Sequence, residues 1–195
     1  MLAMALLFSA SGAGAGTITG FGLPSAAIPG GTVVDFSSTT AGTYSSLTVA
    51  DVTLTSNTTF NVNSNYSGNF NTTGNSFSSP AGWLIRFDFA STVDAFAFNF
   101  GAHDYVWTIS GYSSGGSLIE SLVIANIGGV NGGHYYGLTG SGISYGILQT
   151  INPNDYVLLD NITYNVAAIP LPAALPLFLS GLAGLGFMAR RRKKA

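Results

Sequence analysis

Apolar and polar residues alternate over short runs in most of this chain. The clearest run is from Trp83 to Phe89, where every second residue is large and apolar and Arg86 and Asp88 occupy the opposite face. From Asp94 to Phe100, three phenylalanines again share one face. A period of two residues is that of a β-strand with one buried face. These two runs therefore predict the strands at the centre of the core.

Further short runs of β-branched and aromatic residues, separated by Gly, Ser, Asn and Pro, bring the expected total to nine or ten strands. Residues 63–80 are rich in Asn, Ser and Gly and predict a loop. No helical period is found outside the two chain ends. The pattern predicts an all-β domain over residues 17–166, a two-sheet β-sandwich of jelly-roll type. The other predicted strands cover residues 32–36, 47–55, 58–62, 105–111, 117–125, 143–151 and 156–164.

Residues 1–16 have the pattern of a secretory signal peptide. An apolar stretch from Leu2 to Phe8 is followed by small residues ending in Ala13-Gly14-Ala15, which is an Ala-x-Ala type of cleavage site. The positively charged segment that usually precedes the apolar stretch is missing. A buried N-terminal strand is the alternative interpretation. With a signal peptide, the domain is expected outside the cytoplasm.

The C-terminal residues 167–195 contain three segments in a fixed order. A proline-containing motif at 169–173 precedes an apolar stretch at 174–189 that carries no charge, and a basic cluster at 190–194 follows. Sixteen helical residues extend about 24 Å, so flanking residues and snorkelling basic side chains are needed to cross a bilayer. A basic cluster after an apolar helix marks its cytoplasmic end. The motif is Ile169, Pro170, Leu171, Pro172 and Ala173, and the basic cluster is Arg190, Arg191, Arg192, Lys193 and Lys194.

This tail resembles the PEP-CTERM sorting signal of Gram-negative bacteria, in the variant whose motif reads Val-Pro-Leu-Pro-Ala, with Ile169 in the place of the valine. The resemblance implies an exosortase-type transpeptidase as partner, which cuts near the motif and sends the domain from an inner-membrane-anchored precursor to the cell surface or the extracellular matrix. The two prolines also keep the motif extended, so that a protease can bind it. An uncleaved membrane anchor is the alternative. The domain itself is similar to the sandwich modules found ahead of this signal, on TVVDF, FDFASTVDAFAFNF and the closing DNI segment.

Charge is distributed very unevenly along the chain. The formal net charge is −2, but five of the six basic residues are in the tail. The domain keeps Arg86 against eight acids, a net charge of −7. Nucleic acid is therefore not an expected partner, because phosphates would find almost no cation. The absence of cysteine excludes disulfides, thiol catalysis and cysteine-bound zinc.

Catalytic motifs are weak. Gly111 to Gly115 reads G-x-S-x-G, but the following run has a strand pattern, whereas a nucleophile elbow leads into a helix. A hairpin turn therefore explains the match better than a hydrolase does. His103 and His134 are isolated and are expected in loops. No carboxylate spacing indicates a glycosidase, although two distant acids could still meet in the fold.

Two binding hypotheses remain. Asp35 and Asp160, on the first and last predicted strands with Asn161 beside Asp160, could hold a structural calcium ion, since Ca²⁺ prefers oxygen ligands. Alternatively, Asp160 accepts hydrogen bonds from turn amides. For glycan contact, exposed aromatic rings beside polar groups are required. The candidates in or next to predicted loops are Trp107, Tyr112, Tyr135 and Tyr136.

The sequence thus predicts a non-enzymatic, exported protein of the surface or exopolysaccharide matrix, with a structural or glycan-contacting sandwich. A calcium-dependent carbohydrate-binding module is the second hypothesis, and a secreted hydrolase is the third. An ice-binding protein is disfavoured because no regular Thr-x-Thr ladder is present.

Overall fold

A computed structural model describes residues 14–79, 83–126 and 132–167. Apart from the short 3-10 helix Pro24–Ala26, the regular structure in these ranges is β, so the predicted all-β class is confirmed. The sorting motif, the apolar segment and the basic cluster lie outside the described residues, as does most of the predicted signal peptide. The strands are β1 (Gly16–Phe21), β2 (Thr32–Val34), β3 (Gly42–Val49), β4 (Val52–Asn63), β5 (Ser76–Ser79), β6 (Leu84–Gly101), β7 (Trp107–Tyr112), β8 (Leu118–Ile124), β9 (His134–Gln149) and β10 (Val157–Val166).

The strands form one continuous sheet that folds over on itself. The main order is β2-β10-β5-β4-β6-β9-β7-β8, with β1 paired to β9 and β3 to β4. Because β6 also pairs with β10, the ring β4-β5-β10-β6 is closed. The two sheets expected from the sequence are therefore joined through the long strands. The finer jelly-roll assignment stays a prediction.

Strand β6 passes from one layer to the other at a bend. Before the bend Ile85 and Phe87 are buried, and after it Phe96 and Phe98 are buried, so the inward parity changes from odd to even. Val93 is still buried in the same core, so the change falls between Val93 and Phe96, where the register with β9 shifts between Val93 and Ala95 and turns the later side chains to the other face. The predicted strands 83–89 and 94–100 are thus two halves of one strand.

Aromatic side chains from both halves of β6 meet in the core. Phe87 stacks on Phe98 with 5.0 Å between ring centroids, and Phe60 of β4 lies 4.4 Å from Phe77 of β5. Each ring is fully buried, which stabilises the fold by about 2–3 kcal/mol per side chain. The fold is therefore held by packing across the two layers.

Several strands differ from the sequence prediction. The predicted strand 47–55 is a hairpin, because Ala50 adopts a left-handed φ of 50° and Val49 pairs with Val52. The predicted loop 63–80 contains β5, whose four residues are all buried. The predicted glycine loop around His134 belongs to β9, so this strand begins nine residues before residue 143.

No helix within the described parts of the chain has the length and apolar character that a membrane span needs. Residue Gly16, the last residue of the predicted signal peptide, pairs with Thr139 as the first residue of β1.

Candidate functional site

Two adjoining cavities form a groove at the end of the domain where β6 begins and β9 ends. They have volumes of about 500 and 510 Å³ and share Val106, Thr150 and Ile151. Trp83 is 46 % exposed here and Ile151 is fully exposed. Exposed large apolar side chains gathered in one place usually mark a binding surface. We define the end groove by its lining: Trp83, Tyr105, Val106, Thr108, Gln149, Thr150, Ile151, Asn152, Pro153 and Asn154.

Thr150 connects the two sides of the end groove, one with Trp83 and the other with Val106. Its amide N–H donates to the carbonyl of Trp83 at 3.0 Å, and its hydroxyl donates to the carbonyl of Val106 at 2.8 Å. Because β9 ends immediately before Thr150, the end of this long strand fixes both sides of the groove. The groove is therefore a preformed feature of the fold.

Asp155 organises the loops behind the end groove. This carboxylate is buried and accepts the amide N–H of Asp104 at 2.9 Å, that of Tyr105 at 3.3 Å and the indole N–H of Trp107 at 2.6 Å. A buried carboxylate that accepts several N–H groups is well compensated for its lost hydration. Asp155 thus joins loop 102–106 to loop 150–156.

The chemistry of the end groove is apolar and amide-like. Trp83 and Tyr105 present partly exposed rings, and none of its lining side chains carries a charge. Among the described residues, the side-chain polar groups of Gln149, Asn154 and Thr108 make no hydrogen bond, so they are available to a ligand. Apolar rings beside a few free polar groups are typical of small-ligand and sugar sites.

The outer face of the same sheet carries a stack of side chains in which the charged groups bind each other. The Arg86 guanidinium donates to Asp88 with a shortest distance of 2.6 Å and lies 3.8 Å from the ring centroid of Tyr145. Hydrogen bonding to Asp88 raises the pKa of Arg86 further above its ordinary value. Tyr145 in turn stacks on Tyr112 at 5.0 Å. One ring face of Tyr112, a predicted glycan contact, is therefore already covered.

The other predicted glycan contacts lie elsewhere. Trp107 is fully buried, so its assignment as an exposed platform is wrong: its indole packs edge-on against Phe100 and donates to Asp155. Tyr135 and Tyr136 are half-buried on β9. Burial raises the pKa of Tyr136 above its usual value. None of the four predicted aromatics lines the end groove.

Sequence reasoning missed Trp83 as a surface residue because it continues the buried row of β6. Trp83 precedes the first residue of this strand, where the opposite layer no longer covers the row. No sequence pattern marks Tyr105 as a surface residue of a groove, since its position depends on a hydrogen bond to Asp155, fifty residues later. Neither residue could be placed in a common groove without the fold.

Asp35 and Asp160 are brought together, as the calcium hypothesis requires. Pairing of Val34 with Ile162 places Asp35 next to the middle of β10, close to Asn161, and the charge of Asp35 acts on Asp160. Asp160 is fully buried and accepts the amide N–H groups of Thr73 at 3.0 Å and Asn161 at 2.8 Å, with a further bond from Phe36. This is the hydrogen-bonded alternative considered for Asp160.

The surroundings of Asp160 also shift its protonation. Burial raises the pKa of Asp160 to about 6, the charge of Asp35 adds to this rise, and the three backbone amides oppose it. The described residues contain no group of three or more His, Cys, Asp or Glu side chains that could hold a metal. Carbonyl ligands could still complete a two-carboxylate site, so calcium stays a prediction.

An asparagine network beside Asp160 was also missed. Asn161 has a left-handed φ of 52° and donates to the carbonyl of Asn71 at 2.7 Å and to Oδ1 of Asn99 at 3.1 Å. Asn99 and Asn71 both donate to the carbonyl of Gly22. These bonds connect β10, β6, the 64–75 loop and the end of β1, so the network is structural.

His103 takes part in core packing, and the G-x-S-x-G motif forms a turn. His103 is buried and stacks on Phe100 at 4.7 Å, and burial lowers its pKa. Ser113 and Gly116 lie in the tight turn between β7 and β8, where the Ser113 amide donates to the carbonyl of Ser117 at 2.9 Å. A strand follows this turn, so the geometry of a nucleophile elbow is not formed.

No protein-family model matches the chain, and no curated protein matches it. Among solved structures, the K2 cleaved adhesin domain of Lys-gingipain is similar with 12 % identity over 71 % of this chain and 99 % of that one, at a TM-score of 0.42. Two variants of the family 29 carbohydrate binding module CBM29-2 are similar with 10 % identity and TM-scores of 0.36. They cover 70 % and 72 % of this chain and 85 % and 99 % of their own. None of these values assigns the chain to a family.

Proposed function

We propose that this protein is an exported, non-catalytic domain that contacts a glycan through the end groove. The observation that supports this most is the combination of exposed Trp83 and Tyr105 rings with free amide and hydroxyl groups in one uncharged groove. Sugar rings have apolar C–H faces that pack on aromatic rings and hydroxyl rims that bond to amides. The groove offers both kinds of contact at once.

Binding without catalysis follows from the placement of the acids. A glycosidase needs two carboxyl groups on either side of the bond to be cleaved. No Asp or Glu is among the residues that line the end groove, and the nearby Asp155 is buried and occupied by three N–H donors. A bound glycan would therefore meet no general acid in this groove.

Replacing Trp83 tests the proposal. We expect Trp83→Ala to weaken binding by about 30-fold, the equivalent of about 2 kcal/mol, because it removes the largest apolar contact of the groove. Affinity electrophoresis in gels that contain hydroxyethyl cellulose, dextran or galactomannan measures the retardation of the protein. Phe21→Ala is the matched control, since Phe21 is an exposed aromatic residue on β1 outside the groove. Equal retardation of wild type and Trp83→Ala would refute the assignment of the groove.

Export and sorting complete the proposal. The predicted signal peptide, the proline-containing motif at 169–173 and the basic cluster at 190–194 together support a precursor held in the inner membrane of a Gram-negative cell and processed by an exosortase. Exopolysaccharide at the surface would then be within reach of the groove.

The sorting step has its own test. Replacing Pro170, Pro172 and Ala173 should leave a larger, full-length protein in the inner-membrane fraction, detected by immunoblotting and by mass spectrometry of the C-terminus. The matched control replaces Leu171 with Ile, which keeps both prolines. Unchanged size and unchanged fraction of the motif variant would contradict the proposal.

A second candidate function is calcium-dependent glycan binding, which the proximity of Asp35 and Asp160 favours. In that case a chelator would abolish retardation in the gel, whereas the first proposal expects no effect.

A further inference from the structure

We propose that the end groove selects an uncharged polysaccharide and rejects acidic ones, an inference that rests on the proposed glycan contact. Acidic polysaccharides are held in proteins by free arginine and lysine side chains. The domain offers a single basic residue, Arg86, and this guanidinium is already bound to Asp88 on a different part of the sheet. A polyanion would therefore find no unpaired cation here.

The charge of the domain adds repulsion to this lack of cations. Eight acids against one arginine give a net charge of −7, and the groove itself is lined by neutral side chains. Like charges repel an approaching chain over about a Debye length, roughly 10 Å at 0.1 M salt. An uncharged chain meets neither penalty.

Polymers that share a backbone test this selectivity. The pairs are hydroxyethyl cellulose with carboxymethyl cellulose, and dextran with carboxymethyl dextran, each in affinity gels at low and high salt. We expect the carboxymethyl form of a bound polymer to bind about tenfold more weakly at low salt, with a smaller difference at high salt. Equal or tighter binding of a carboxymethyl form would overturn the selectivity but leave glycan contact standing. If neither member of either pair binds and galactomannan does not bind either, both proposals fall.

A second observation concerns where the chain enters and leaves the domain. Gly16 pairs with Thr139, Val166 pairs with Val93, and the Ala167 amide donates to the carbonyl of Thr92 at 2.9 Å. All these contacts lie at the β6 bend, whereas the end groove lies where β6 begins. Strand β10 runs from the groove end to this attachment end, a distance of about 30 Å for ten residues.

We infer that whatever holds the domain by either chain end lies opposite to the end groove. A tether at the bend end leaves the groove facing away from the anchoring surface and open to a long polysaccharide. A tether at the groove end would block it. The arrangement suits a domain that connects a surface to a polymer outside it.

Single-cysteine immobilisation tests this orientation, and the absence of native cysteine makes the labelling specific. Ser91→Cys lies exposed at the bend, and Asn154→Cys lies exposed at the groove. Each variant is biotinylated, bound to streptavidin and exposed to the neutral polymer that the wild type binds. We expect the Ser91 surface to capture the polymer and the Asn154 surface to capture at least tenfold less.

Controls separate the effect of the tether from that of the substitution. The same variants capped with iodoacetamide are measured in solution, and Ala125→Cys provides a second tether at the groove end, outside the groove lining. Equal capture by the surfaces tethered at both ends would overturn the orientation. No binding by any form, including the free wild type, would instead reject the proposed glycan contact.

Discussion

Asp155→Ala is expected to destabilise the domain by about 3–4 kcal/mol. The substitution leaves the buried indole N–H of Trp107 without an acceptor and frees the amides of Asp104 and Tyr105. An unsatisfied buried donor costs about 1–3 kcal/mol, and bonds to a charged acceptor are at the upper end. Because a domain of this size is stable by only about 5–15 kcal/mol, the loss is large. Urea denaturation followed by fluorescence measures it.

The same substitution should also weaken glycan binding, because Asp155 fixes the two loops that line the end groove. Asp104→Ala is the matched control: it removes an exposed carboxylate of the same loop, and we expect a change in stability within about 0.5 kcal/mol. Stability of Asp155→Ala within about 1 kcal/mol of wild type would show that the carboxylate does not organise these loops.

Asp160 is expected to make the domain less stable at neutral pH than at pH 4. In the folded state it keeps its proton up to a pKa of about 6, whereas in the unfolded chain it loses the proton near 3.8. The folded state therefore binds more protons between these values, and the stabilising contribution is complete below about pH 4 and lost as the pH rises through about 6. The difference of about two pKa units corresponds to about 3 kcal/mol.

Other groups titrate in the same range, so the comparison must be made with Asp160→Asn. His103 acts in the opposite direction, because burial lowers its pKa and the fold then loses stability as the pH falls. Asp35, the charged neighbour of Asp160, is present in both proteins. The free energy of unfolding is measured in urea from pH 4 to pH 7 with a chelator present. Between pH 4 and pH 7 we expect the free energy of unfolding of wild type to fall by about 3 kcal/mol more than that of Asp160→Asn. Parallel pH profiles of the two proteins would contradict a raised pKa of Asp160.

Calcium provides a further arm of the same experiment. If Asp35 and Asp160 hold the ion, calcium raises the melting temperature at pH 7 and removes the decline, because the ion stabilises the ionised carboxylate. An unchanged transition would remove the calcium hypothesis.

The sequence predicted those parts of the fold that depend on local alternation. The rows around Phe87 and Phe98 could be assigned to strands because inward and outward positions differ clearly in polarity. Local alternation did not reveal that one strand continues through the bend between them, because the exposed residues Ala90 to Thr92 resemble an ordinary turn. Ala50 hid a hairpin in the same way, because alternation continues on both sides of it and alanine is an unusual residue at positive φ.

The site depended on contacts that no local pattern encodes. Strand β5 is mostly polar in sequence but fully buried, and it pairs with β4 at one edge and with β10 at the other. Trp83, Val106 and Ile151 are far apart in the chain and meet only through Thr150. Charge and composition could be read directly and argued against nucleic acid as a partner, whereas the groove itself required the fold.

The two tryptophans allow the most direct test of the central claim. Each indole N–H gives one signal in a ¹H–¹⁵N spectrum, and Trp83→Phe assigns them. Trp83 is partly exposed in the end groove and Trp107 is buried behind it. We predict that titration with cello-, dextran- or manno-oligosaccharides shifts the Trp83 signal in a saturable way. The Trp107 signal should move by only a small fraction of that shift. Binding of a glycan with an unmoved Trp83 signal would contradict the account.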